Sequence, residues 1–297
     1  MTEGGARGLS YLHRIWEREW FSAYRFLLLP IALLALIKVY PFAYNFFLSV
    51  TDGGFQDEVS FAGVKHFREL IDDRTIRNAT LNTFYLTALV VPIGTAVSLF
   101  VAVVVNDRFR GRAGVRLGFV LPMVTSVVVG AMVWDLIYLP RGGLLNTILA
   151  SHGTDWLQTP DLAMPAVALV ILWSSIGLNL LVFLAALQDI SPDLLGAAEI
   201  DGATRFQQFQ HVTLPGIRHS LLFVVATLTI TVFRSFGVIY VLTQGGPVQR
   251  TNTLVWESYL NAFGYLRFNR AAALSVVMVV IILIITVVYF RMLRSVD

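Results

Sequence analysis

Six apolar runs dominate this chain, near Phe26–Val50, Leu81–Val105, Val115–Leu139, Ala163–Leu187, Leu221–Leu242 and Ala271–Tyr289. Each is long enough to cross a bilayer core as a helix of about 20 residues. Lipid offers no partner to an open backbone group, so every run is predicted to be α-helical. Pro92, Pro122 and Pro165 fall inside or at the start of runs, where neighbouring helices supply the lost bonds. The sharpest interruption is the polar segment at about 190–218, which reads as helix, glycine turn, helix. Ser191 can cap a free N–H, and Pro192 at the first helical position loses no bond. Ala197, Ala198 and Glu199 are good helix formers, and Gly202 can take the left-handed geometry that lets a second helix begin at Ala203. The expected fold class is an all-α integral membrane protein with six transmembrane helices and one helical loop displayed outside the bilayer.

Composition agrees with that pattern. Hydrophobic residues make up 56% and charged residues 14%, against about 25% charged in ordinary soluble domains. Cysteine is absent, so a disulfide framework and a thiolate metal site are both excluded. The net charge of +3 is small, and its basic residues flank apolar runs, a pattern of membrane orientation rather than nucleic-acid binding. The cluster Arg108, Arg110, Arg112 and Arg116 between the second and third runs is the strongest local bias. It places both termini and the 190–218 loop in the cytoplasm. Residues 1–25 read either as a cytoplasmic tail or as an interfacial helix carrying Trp16 and Trp20. The first run leads into Lys38, Tyr40 and Pro41 without a small-residue cleavage site, so it is read as a retained span.

Catalytic chemistry is not evident. There is no Gly-x-x-x-x-Gly-Lys-Ser/Thr phosphate loop, no Ser/His/Asp arrangement and no facing pair of carboxylates. His13, His66, His152, His211 and His219 lack metal-ligand spacing and read as solvated loop residues. The chain is therefore expected to be a transport subunit rather than an enzyme, with no cofactor of its own.

Two spaced motifs carry a resemblance. The first is Ala197-Ala198, Asp201-Gly202-Ala203, then Phe209 and Leu214-Pro215; the second is Leu242-Thr243-Gln244-Gly245-Gly246-Pro247, then Thr253-Leu254, Ala262-Phe263 and Ala271–Ser275. In these residues the chain resembles the membrane permeases of sugar-type ATP-binding cassette importers, related to the maltose and glycerol-phosphate systems. Gly196 stands where that family usually has Glu. The resemblance implies a permease domain over 26–297 and a coupling helix made of Gly196, Ala197, Ala198, Glu199, Asp201, Gly202 and Ala203, seated on an ATPase subunit that moves it as a lever. It further implies a second homologous permease, two ATP-binding cassette subunits that bind the ATP and Mg, and an extracytoplasmic solute-binding protein, all at the cytoplasmic (inner) membrane of a prokaryote.

A solute path needs polar atoms inside the membrane. On the fifth run Thr227, Thr231, Arg234 and Ser235 fall on one helical stripe. On the fourth, Ser174, Ser175 and Asn179 lie beneath Trp173. Hydroxyl and amide partners around an aromatic wall suit a sugar, and the resemblance implies a site on the same two spans. Interhelical packing is the competing reading, since Ser, Thr and Asn also bond across helices for about 0.6 kcal/mol each. Arg234 is expected either to pair with Asp135 or to face solute. Trp256, Tyr259, Phe263 and Tyr265 form either an interfacial belt or the mouth of the path, and loop Thr51–Asn78 is a further docking surface. The expected cargo is a mono- or oligosaccharide, with a polyol or glycerol-phosphate-type solute next. An ion-coupled secondary transporter is the rival from another class.

Overall fold

The structure, a computed structural model, describes residues 24, 26–53, 58–107, 109–151 and 153–294. The N-terminal segment with Trp16 and Trp20, together with His13, Arg108 and His152, lies outside them. The first run forms α1 (Phe26–Ser49), whose side chains are almost all exposed, with a π-helical stretch at Ala35–Val39. The segment expected as loop Thr51–Asn78 is mostly regular. Strands β1 (Thr51–Asp52) and β2 (Ser60–Phe61) pair antiparallel, and α2 (Lys65–Asp72) follows. Asp73 then accepts a hydrogen bond from the Thr75 amide at 2.7 Å and starts α3 (Arg74–Asn106) well before the apolar run itself begins. A capping side chain, not hydropathy, sets that boundary. Partial burial pushes the Asp73 carboxyl up, but the Thr75 amide and the Arg270 guanidinium outweigh it and hold the group below its ordinary value.

The third run is not one straight span. It divides into α4 (Arg112–Val124) and α5 (Val127–Ile137), bent by 109°. Thr125 and Ser126 adopt extended ψ angles of 138° and 131° between them. Pro122 offers no N–H to the helix, and the β-branched Thr125 beside Ser126 gives little support for continuing it. A short α6 (Leu144–Ile148) precedes α7 (Pro160–Gln188), the longest uninterrupted helix after α3. The polar segment contributes α8 (Pro192–Ile200) and α9 (Arg205–Gly216), the latter with a π-helical turn at Phe209–Thr213. A 70° bend leads into α10 (Arg218–Phe233).

The fifth run also breaks. Helix α10 ends at Phe233, and after Arg234 and Ser235 the chain resumes as α11 (Phe236–Leu242). Helix α12 (Leu254–Tyr259) continues as a π turn through Gly264, and α13 (Phe268–Arg294) closes the described chain. By length and composition α1, α3, α7 and α13 can each cross a membrane, and the two bent pairs add up to two more crossings.

Helices α3, α7 and α10 share a core that includes Leu86, Val90, Ile171, Leu180, Phe183 and Leu228, all at most 1% exposed. Small residues set how closely the backbones approach. A Cβ on Gly94 would meet Leu172 and Leu228 at 3.0 and 3.1 Å, and one on Gly177 would strike the Phe119 carbonyl at 2.5 Å. Glycine at 177 is therefore what lets α4 lie directly on α7. Leu70, Phe233, Leu254 and Leu274 belong to a second cluster that ties α2, α12 and α13 to the end of α10.

Candidate functional site

The displayed segment is built as two capped helices around a glycine. Ser191 Oγ accepts from the Asp193 amide at 3.3 Å, as expected of its position. At the other end of α8, the Gly202 amide bonds to the Glu199 carbonyl at 3.0 Å, and the Ala203 amide bonds to Ala198 at 2.9 Å. With Gly202 at φ +75°, this is the paired closure that a left-handed residue past a helix end permits. The second helix starts at Arg205 rather than Ala203. Thr204 supplies the reason: its hydroxyl and the Gln207 side chain cap each other's backbone amides, at 3.4 and 2.8 Å, which an alanine cannot do.

This segment presents itself outward. Ile200 is 88% and Phe206 73% exposed, and Ala197, Glu199, Asp201 and Gly202 are exposed beside them. Ala198, Asp201, Gly202 and Ala203 line a hollow of about 290 Å³ with Gln207 and His211. Ile200 and Phe206 are thus large apolar side chains raised to solvent from a short polar segment. Gly196 lies within α8, with no atom within 4 Å of a Cβ placed on it. Replacing it with Glu relieves the cost of a mid-helix glycine, about 0.5–1 kcal/mol. Gly196→Glu is expected to insert normally and to melt in detergent at or above the wild-type temperature. A drop of several degrees would mean that the bare backbone is required there.

The intramembrane stripes are only partly assembled. On α7, Ser174 Oγ donates to the Ile171 carbonyl at 3.0 Å and Ser175 Oγ to the same carbonyl at 2.8 Å. On α10, Thr227 and Thr231 donate to Val224 and Thr227, at 3.0 and 2.9 Å, and beyond the break Ser235 donates to Val232 at 2.6 Å. These hydroxyls are thus spent on carbonyls of their own helices, and keep lone pairs for a further donor. Asn179 differs: it is 2% exposed, and its buried Nδ2 has no hydrogen-bond partner. Trp173, half-buried, packs edge-on against Trp134 of α5 with ring centroids 6.0 Å apart.

Three expectations are corrected. Arg234 and Asp135 do not pair; both are exposed, and Arg234 caps the broken end of α10 instead of continuing its stripe. The helix break has turned the position that a continuous helix would have aligned with Thr227. His66 is not a solvated loop residue. It is 5% exposed on α2, with Nε2 2.9 Å from the Thr51 carbonyl. Trp256 is not part of a simple interfacial belt, since it is 6% exposed and stacks on Phe236 and Tyr259.

Sequence reasoning also missed a polar cavity of about 480 Å³, lined by residues that include Asp73, Gln244, Asn252, Glu257, Asn261 and Arg267. Most of its lining comes from the chain between α11 and α13, with Asp73 and Thr75 from the start of α3. Glu257 is 5% exposed, and its carboxylate accepts from Asn252 and Asn261 at 2.7 and 3.3 Å. Its signal was a lone carboxylate inside the apolar, aromatic stretch from Leu254 to Phe263.

Comparison with known proteins gives a consistent picture. The family profile described as binding-protein-dependent transport system inner membrane component matches residues 75–297. The chain is 36% identical over 270 residues to the sn-glycerol-3-phosphate transport system permease protein of Yersinia pestis bv. Antiqua (strain Antiqua), covering 89% of this chain and 92% of that one. It is 31% identical over 280 residues to the sulfoquinovosyl glycerol transport system permease protein of Agrobacterium fabrum, covering 91% and 90%. Among solved structures, a bacterial ABC transporter involved in import of the acidic polysaccharide alginate superposes with a TM-score of 0.80 at 23% identity, over 97% of this chain and 99% of that one.

Proposed function

Because the chain belongs to the family of binding-protein-dependent transport system inner membrane components, we propose that it forms one half of an ATP-driven import path for a carbohydrate. It is a multi-pass membrane permease, and the sugar-type membership rests on relatives at 36% and 31% identity over most of their length. The finer assignments are our reading. Six crossings arise if each bent pair counts as one, with both termini and the segment 190–218 on the cytoplasmic side. A second homologous permease completes the path, a solute-binding protein delivers cargo from outside, and a pair of ATP-binding cassette subunits holds the ATP and Mg.

The observation that carries the mechanism is the capped helix–Gly202–helix segment with Ile200 and Phe206 raised on it. A segment closed by hydrogen bonds at both ends moves as a unit, so a push on its exposed face passes to α7 and α10 through the chain. Those two helices hold Trp173, Ser174, Ser175 and Asn179 on one side, and Thr227, Thr231, Arg234 and Ser235 at or near the end of the other. Solute binding and ATP shift the population between inward- and outward-open arrangements, and hydrolysis resets it.

Reconstitution tests this reading. Proteoliposomes holding the chain with its cognate permease, ATPase and binding protein are expected to accumulate carbohydrate when given ATP, and none when the ATPase is omitted. Uptake driven by an ion gradient without the ATPase would overturn it in favour of a secondary transporter.

A further inference from the structure

The cavity beyond α11 has features that folding alone does not call for. Its rim loop, Gln244 to Gln249, holds Gln244, Gly245, Val248 and Gln249 at positive φ between 48° and 82°. Three of these are not glycine, and a β-branched valine in that region is strongly disfavoured. The loop persists because it is held from two sides: Asn82 Nδ2 on α3 donates to the Gln249 and Asn252 carbonyls at 2.8 and 2.9 Å, and nearby Thr251 Oγ1 donates to Gly246 at 2.6 Å. Such over-determined strain clusters where a site must keep its shape.

The lining is polar, yet its charges balance. Asp73 pairs with Arg270, while Glu257 is buried among amide donors and Arg267 stands exposed on the rim. Two lining residues keep a buried polar atom without a partner, the acceptor Asn252 Oδ1 and the donor Arg270 Nε. Trp256 and Tyr265 supply apolar ring faces. A cationic guest meets Arg267 and Arg270, and an anionic one meets Asp73 and Glu257. A hydroxyl donates and accepts at once, so it suits a wall that alternates carboxylate, amide and guanidinium. The volume of about 480 Å³ falls within the range of about 300–1,000 Å³ usual for small-molecule sites.

We propose that this cavity is a reception site for the uncharged, polyhydroxylated part of a solute, separate from the intramembrane stripes and entered before them. Glu257 and Asn252 receive hydroxyl protons, Arg267 donates from the rim, and the aromatic rings cover the carbon face. The idea rests on the transport reading only for the order in which the two places are visited.

The test uses the full chain in phosphatidylcholine nanodiscs, with ligand-detected saturation-transfer NMR and glycerol, glucose and maltose as neutral probes. A tetralysine peptide is the charged control. Neutral probes are expected to respond, and Glu257→Gln to weaken them about tenfold, the loss of one hydrogen bond of about 1.4 kcal/mol. If Glu257→Gln does not fold, Arg267→Met decides, since that side chain is exposed; a several-fold loss is expected. Equal responses in wild type and both variants, or a response to tetralysine alone, would overturn the site. Equal responses alongside ATP-driven uptake would leave the transport reading standing. Probe binding lost in both variants, without ATP-driven uptake in reconstitution, would support the cavity while sinking that reading.

Discussion

Gly202→Asp is expected to bring ATP-driven uptake down to background while the chain still inserts in the membrane. Gly202 sits at φ +75° with nothing within 4 Å of a Cβ, so the substitution meets no steric wall. Its cost is conformational, about 1–2 kcal/mol for an ordinary L-residue held left-handed, and smaller for Asp, which tolerates that region better. That is too little to unfold a protein with so large a core. It is enough to loosen the closure at Ala198 and Glu199 and shift the angle between α8 and α9. The new carboxylate also sits beside Asp201, adding to the negative charge that Glu199 and Asp201 already place on the exposed face. Uptake in proteoliposomes and co-purification of the ATPase are the two readouts, and both should fall at least tenfold. Gly202→Ala adds strain without charge and should retain part of the activity. Wild-type uptake by Gly202→Asp would remove the basis for a lever in this segment.

Asn179→Leu should separate transport from stability in the opposite sense to most core changes. A buried donor without a partner costs about 1–3 kcal/mol, and Asn179 Nδ2 is such a donor. Leucine has nearly the same size and no polar atom, so the folded protein is expected to melt at the same temperature or a few degrees higher. Uptake is expected to fall tenfold or more, because the amide kept at that cost would be gone from the path. If the variant instead melts lower and transports normally, Asn179 is a packing residue.

The two outcomes differ because of how each feature is encoded. The α8–Gly202–α9 segment was legible because a cap acts within one turn, as where Ser191 reaches Asp193. The second helix starts at Arg205 rather than Ala203 because Thr204, two residues past the glycine, supplies the cap. Asn179 was legible as a polar residue in an apolar run, but whether it had a partner was not. Arg234 leaves its stripe for a similar reason, since a stripe drawn on a continuous helix means nothing once the helix ends at Phe233.

Hydropathy and capping along the chain dictate a helical membrane protein, the position of its polar segment and the conformation of Gly202, because each depends on neighbours within a turn or two. Folding in three dimensions set the burial of His66 and Trp256 and the cavity around Glu257. Those features rest on contacts such as Asn82 with Gln249 and Asn252, separated by 167 and 170 positions. No local periodicity records such a pairing, since its free energy arises when remote helices meet and a strained loop finds its donors.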